Sequence, residues 1–293
     1  MSSLQSECAN FSDAIARDLG AHIQPIPDGV LHRFDDPDGK RHNKSCWYTL
    51  FVDAIPAGAY GNWRTGYQAT WKADRRVDEA EIAKMRADIA AAKAEREAEK
   101  QADQTKAAHR AQTLWNTASP ALLEHPYLQA KAIPALSLKC SGEALLVPLR
   151  DVEGRLCSLQ FITPDGSKKF MPKGRISGCF CLTGAQVLPP TGKVYICEGF
   201  ATAATIASTV KLPTVAAMNA GNLLPVAKAI HSRYPQLHLV IAADNDRHTP
   251  GNPGLTKGRE AATAVGADLT YPTLCADCQC SDYNDAAKCQ GEK

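Results

Sequence analysis

Five carboxylates in the last third of the chain have the types and spacing to hold a divalent metal. Glu198 follows the short apolar run VYIC (194–197) and precedes Gly199. Asp244 ends the run LHLVIAAD (237–244), with Asp246 two residues on, and Asp282 and Asp285 lie in SDYNDA (281–286). In extended chain residues i and i+2 point the same way, so Asp244 and Asp246 can share one ion. Oxygen ligands of this kind suit Mg²⁺, which keeps several waters and takes phosphate oxygens as well. Two such ions could clamp the attacking and leaving oxygens of a phosphoryl transfer. Taken singly, an Asp-x-Asp after a strand more often starts a turn or caps a helix. The metal reading rests on all five acids reaching one place.

The elements around them predict that they do. Over residues 191–293 apolar strands (194–197, 212–218, 237–244, 268–271) alternate with helices (200–209, 222–234, 254–266). A β-α-β-α-β-α-β order with apolar strands implies a parallel sheet covered by flanking helices. Ligands bind such sheets beyond the carboxyl ends of the strands, which is where every one of the five acids falls.

Upstream, residues 113–190 carry eight basic against five acidic side chains. After a short helical stretch comes the loop-like His125-Pro126-Tyr127-Leu128. The runs Ala144–Leu149 and Leu156–Thr163 then read as strands, separated and followed by turn residues, which predicts a small antiparallel β unit. Residues 76–112 are alanine-rich and mixed in charge, without Gly or Pro. They predict a long charged helix acting as a connector. Residues 1–75 predict a small N-terminal α+β domain rich in aromatics. Trp63 and Trp71, interleaved there with basic residues, suit stacking on bases of a single strand, or a place in a small β core.

The acidic motifs resemble those of Toprim domains. Glu198-Gly199-Phe200-Ala201-Thr202-Ala203 is similar to their Glu-containing first motif, Asp244-Asn245-Asp246 to the Asp-x-Asp motif, and Ser281-Asp282-Tyr283-Asn284-Asp285 to the third acidic motif of Toprim primases. Residues 252–262 resemble the helix that follows Asp-x-Asp in phage and plasmid primases, and residues 144–175 the region that precedes Toprim in DnaG-type primases. The resemblance implies a Toprim-like α/β fold for 191–293 and a primase-type basic β subdomain at 113–190. It implies Glu198 as general acid/base, and Mg²⁺, with Mn²⁺ as a substitute, on Glu198, Asp244, Asp246, Asp282 and Asp285. It places Arg150, Arg155, Lys168, Lys169, Lys257 and Arg259 on nucleotide or template, with Lys173 and Arg175 in the same basic set. The implied function is primer synthesis from ribonucleoside triphosphates on single-stranded DNA, in a phage or plasmid setting. A Toprim nuclease and a non-catalytic accessory protein that binds nucleic acid are the alternatives. The chain has no Gly-x-x-x-x-Gly-Lys-Ser/Thr, so a separate replicative helicase is the expected partner.

Composition sets further bounds. A net charge of +2 does not by itself announce a nucleic-acid binder. No apolar run is long enough to span a bilayer, and the N-terminus has no signal-peptide pattern, which gives the expectation of a cytoplasmic protein with no membrane partner. Eleven cysteines without an export signal read as reduced thiols. Cys8 and Cys46 are too few for an N-terminal zinc ribbon. Cys275, Cys278, Cys280 and Cys289 offer four thiolates, but their spacing is irregular and overlaps the third acidic motif. The expectation is unliganded thiols, with zinc no cofactor.

Overall fold

Helix α1 (Ser3–Leu19) opens the chain, and its apolar side finds the aromatics of a four-stranded sheet. The computed structural model describes residues 3–52, 55–74, 78–136 and 138–289, which divide into two compact units, 1–99 and 100–293. In the first unit β1 (His32–Phe34), β2 (Cys46–Phe51), β3 (Ala57–Asn62) and β4 (Tyr67–Lys72) pair antiparallel in chain order. Cys46, Tyr48 and Leu50 of β2 are buried in alternation, the period-two pattern of a sheet covered on one face. Phe11, Ala14 and Ile15 of α1 pack on Tyr48, Leu50 and Tyr60. Gly58 makes this close approach possible, since a Cβ there would meet the Phe11 ring at 2.9 Å and the Thr49 carbonyl at 2.5 Å. Helix α2 (Glu79–Thr117) then runs for 39 residues. Near its start Ile82 packs with Leu4 and Val52. The predicted helix began at 76; residues 76 and 77 lie outside the described residues, and the helix continues five residues past the predicted end.

The last turns of this helix have a packing role in the second unit. Ala107 and Ala111, with Leu114 and Trp115, pack against Leu146, Leu156, Leu159 and Met171. Alanine leaves room for the sheet to come close, so the alanine-rich helix presents a contact face here. The sheet consists of β5 (Ser119–Pro120), β6 (Lys139–Ser141), β7 (Ala144–Arg150), β8 (Leu156–Ile162) and β9 (Lys168–Phe170), antiparallel in that order. The two predicted strands are β7 and β8, and both are buried on nearly every residue. Helix α3 (Pro126–Lys131) stands between β5 and β6 where a loop was expected. His125 caps it and proline takes its first turn, where a missing N–H costs nothing.

The rest of this unit is the expected parallel sheet. Its strands are β10 (Cys181–Thr183), β11 (Gly192–Cys197), β12 (Thr214–Ala216), β13 (Leu237–Ala242) and β14 (Asp268–Thr270), in the order β10-β12-β11-β13-β14. Four strands are parallel, and β10 adds antiparallel to β12. Helix α4 (Phe200–Val210) covers one face. Helices α5 (Leu223–Arg233) and α6 (Pro253–Val265) share a core with the other. Helix α7 (Tyr283–Lys288) follows β14 after a loop of twelve residues, 271–282. Asn222 joins the two sheets: its amide donates to Ile176, Cys179 and Ala217 carbonyls and accepts from Gly178. Among the described residues no helix is long and apolar enough to cross a membrane.

Candidate metal and nucleotide site

Glu198 and Asp282 stand directly at the ends of β11 and α7, and Asp244 and Asp246 lie just beyond β13. Glu198 follows β11, and its carbonyl accepts from Met218 N–H at 2.7 Å while its carboxylate accepts from Ala220 N–H. Asp244 lies two residues beyond β13. Asp246 Oδ2 accepts from Gly254 N–H at 2.9 Å, in the first turn of α6. Asp282 caps α7 by accepting from Asp285 N–H at 2.7 Å. The loops carrying these acids are strapped together: Asn245 N–H donates to Ser281 O at 2.7 Å, and Arg247 donates to the carbonyls of Cys275 and Cys278.

The acids share one electrostatic field. Burial pushes the Asp244 carboxyl up to about 8, with Glu198, Asp282, Asp246 and Asp285 each adding to the rise. The Glu198 carboxyl is also raised, by burial first and then by Asp246. Asp244 Oδ1 is buried and has no hydrogen-bond partner. A carboxylate oxygen in that state is costly unless a cation or a proton meets it. An orphaned buried carboxylate oxygen in the field of four more acids has the chemistry to suit a hard divalent cation at Asp244. Gly254 closes one side, for a Cβ there would lie 2.8 Å from Asp246 Oδ2 and 2.9 Å from the Asp244 carbonyl.

A cationic wall from the antiparallel sheet faces these acids. Lys168 of β9 lies in the field of Asp282, Glu198 and Asp244, and its ammonium pKa is lowered, by burial first and then by Lys131. It sits 5.6 Å from the centre of the Tyr127 ring. Lys131 Nζ pairs with Asp285 Oδ1 at 3.1 Å. The Tyr127 hydroxyl is buried without a partner. Its pKa is pushed up to about 12 by burial, with Asp282 adding to the rise. Lys131 and Tyr127 were not singled out from sequence. The Pro at the start of α3 was the available signal, because a helix there presents both at one end of the β unit.

Other expected residues find their partners elsewhere. Arg155 bonds Asp151 at 2.8–2.9 Å and Glu153 at 3.2 Å. Arg175 joins the same buried Asp151 at 2.8 Å, and Arg150 donates to the Gly154 carbonyl. These three arginines tie down the 150–155 turn. Lys173 pairs with Asp103 at 2.7 Å, and Lys257 with Glu260 at 2.6 Å. Lys169 and Arg259 are exposed. In the first unit Trp63 is 52% exposed. It is stacked on Trp47 at 6.1 Å, with the Arg33 guanidinium 4.8 Å from its ring. Trp71 instead packs on Phe11 at 5.3 Å, against the core.

Residues 193–293 match the model of the Toprim domain. Two Escherichia coli proteins named DNA primase TraC are 38% and 37% identical over 257 residues, 85% of this chain in each case. The chain spans only 24% and 18% of their lengths. Among solved structures, the primase fragment of the bacteriophage T7 primase-helicase protein superposes with a TM-score of 0.42 at 19% identity, over 55% of this chain and 68% of that one. The DnaG primase catalytic domain bound to single-stranded DNA gives 0.41 at 14% identity, over 65% and 77%. Residues 193–293 thus match a Toprim domain, in a chain similar to about a quarter or less of the length of the TraC primases.

Proposed function

We propose that this chain synthesises short RNA primers from ribonucleoside triphosphates on a single-stranded DNA template. The observation that carries the reading is the buried, unpartnered Asp244 oxygen, set among four other acids and faced by Lys168. Mg²⁺, or Mn²⁺ in its place, would be held by Asp244, Asp246, Asp282, Asp285 and Glu198 and would supply positive charge at the reacting phosphate. Glu198, with its carboxyl raised above the usual range, takes the proton from the attacking 3′-hydroxyl. Lys168 and Lys131 bind triphosphate oxygens, and the Tyr127 hydroxyl donates to one of them. The lysines bring the incoming charge to the acids and hold it in register, a matter of positioning and electrostatics. Lys169, Lys257 and Arg259 are exposed contacts for the template backbone, and Trp63 with Arg33 offers a base-stacking platform. Arg150, Arg155 and Arg175 shape the turn beside the site. A cytoplasmic setting and a separate helicase partner belong to the same reading.

A nuclease could use the same acids, but it has no need of a cationic wall that receives a triphosphate. Incorporation of labelled ribonucleotides on single-stranded DNA, beside a strand-cleavage assay, tests the proposal. Short Mg²⁺-dependent RNA products are expected. Cleavage without synthesis would favour the nuclease, and binding with neither activity an accessory protein.

A further inference from the structure

The loop between β14 and α7 brings three thiols together. The sulfurs of Cys275, Cys278 and Cys289 all lie within 4.8 Å of one another. Cys275 and Cys289 are 3.5 Å apart, although 14 residues separate them in sequence. Four thiolates about 2.3 Å from a tetrahedral zinc stand roughly 3.8 Å from each other, so three sulfurs within 4.8 Å of one another are close enough for one metal to draw them together. Cys280 lies two residues from Cys278 with its thiol turned to the Asp285 carbonyl at 3.7 Å, and in sequence it is the nearest fourth thiol to the three that already meet. Arg247 donates to Cys278 Sγ at 3.5 Å as well as to the Cys275 and Cys278 carbonyls. A cation so placed offsets the surplus negative charge of a thiolate cluster and orients its backbone. The Cys275 side is buried and the others are half-buried.

We propose that Cys275, Cys278, Cys280 and Cys289 form a structural zinc site. The four thiols lose their protons to solvent as the metal binds, and no electron transfer is involved. The site would cross-link the loop that leads to Asp282 with the far end of α7. Arg247, next to Asp246, ties it to the Asp-x-Asp loop. In this account zinc holds two acidic motifs at a fixed distance without touching the reacting groups. Irregular spacing argued for free thiols; the fold brings the distant Cys289 back through α7.

Elemental analysis of the full chain, purified without chelator, is the test. About one zinc per chain is expected, lost in Cys275→Ser, Cys278→Ser and Cys289→Ser and kept in Cys140→Ser. Should the variants fail to fold, the wild-type chain decides. A mercurial thiol reagent should release one zinc to a metallochromic dye. Cobalt substitution should give tetrahedral bands, whose thiolate intensity falls by about a quarter in Cys280→Ser as four sulfurs become three. A wild-type chain that takes up no zinc overturns the proposal. So does a Cys275–Cys289 disulfide, seen as two fewer titratable thiols than the eleven of the sequence until reductant is added. Unchanged cobalt intensity would remove Cys280 from the site.

Discussion

Glu198 and Asp244 stand at the ends of paired strands, whereas Cys275 and Cys278 belong to a loop with no strand or helix of its own. The two clusters sit in one unit and gather ligands by opposite means. The acids are held by β11, β13 and the start of α6, which are buried and hydrogen-bonded before any ion arrives. Their burial and crowding are therefore stored, and Asp244 shows both, burial first, as a raised pKa. The thiols depend on a few carbonyl bonds from Arg247 and on each other. A rigid frame can hold repelling charges together, while a loop needs its ligand to keep its shape. Removing a ligand should thus cost function in the first cluster and order in the second.

The sharpest way to break this contrast is Asp244→Asn. Synthesis should fall by about 10³-fold or more, the scale of losing a principal electrostatic group. The metal-free fold should be about as stable as wild type near neutral pH, where Asp244 is itself protonated, and more stable above pH 8, where the wild type would carry a buried, repelled carboxylate. Incorporation kinetics beside thermal unfolding checks both halves, and a strongly destabilised variant would contradict the stored-crowding account.

Gly254→Ala asks how tightly the frame is set. The added methyl meets Asp246 Oδ2 at 2.8 Å and the Asp244 carbonyl at 2.9 Å. Activity should drop about 10–100-fold, as when a group that orients a ligand is disturbed. Stability should fall by about 1–3 kcal/mol from overpacking. Wild-type rates would mean that the acids adjust freely.

Tyr127→Phe probes the cationic wall. The hydroxyl has no partner to lose, so stability should hold or rise. KM for the nucleotide should increase about tenfold, since a hydrogen bond to a charged group is worth about 1.5–3 kcal/mol. Steady-state kinetics would show the effect in KM. The smallest effect separates two neighbours, both exposed on β9: Lys168→Ala should raise KM comparably, while Lys169→Ala should change it less than about twofold at moderate salt. Equal effects would undo the assignment of Lys168 to the acids.

Much of this site was legible because strand ends are legible. Short apolar runs such as VYIC and LHLVIAAD predicted β11 and β13, and the residue after a buried parallel strand has little choice of position. Residues that act from side chains on other elements were harder. Arg155 and Lys168 look alike in sequence, each beside a turn; only the fold shows that Asp151 claims the arginine and that β9 points the lysine toward the acids. Tyr127 and Lys131 were hidden by reading His-Pro-Tyr-Leu as loop when its proline opens a helix. The three-residue β10 carried too little periodicity to be seen. The thiol cluster depends on α7 folding back, which no local spacing encodes.

The proposed cation site draws on a carboxyl, Asp244, whose proton affinity the fold has already raised. Asp244 keeps a proton in the folded state up to about pH 8, whereas an unfolded aspartate releases it near pH 4. The bound proton favours the fold at low pH, so the metal-free chain should lose stability as pH rises between those values. Thermal unfolding near pH 5 and near pH 8, with Mg²⁺ and with chelator, measures this directly in wild type and Asp244→Asn. The account predicts that Mg²⁺ raises the wild-type midpoint far more near pH 8 than near pH 5, and that Asp244→Asn loses both the Mg²⁺ effect and most of the metal-free decline. A wild-type midpoint indifferent to Mg²⁺ at both pH values would contradict it.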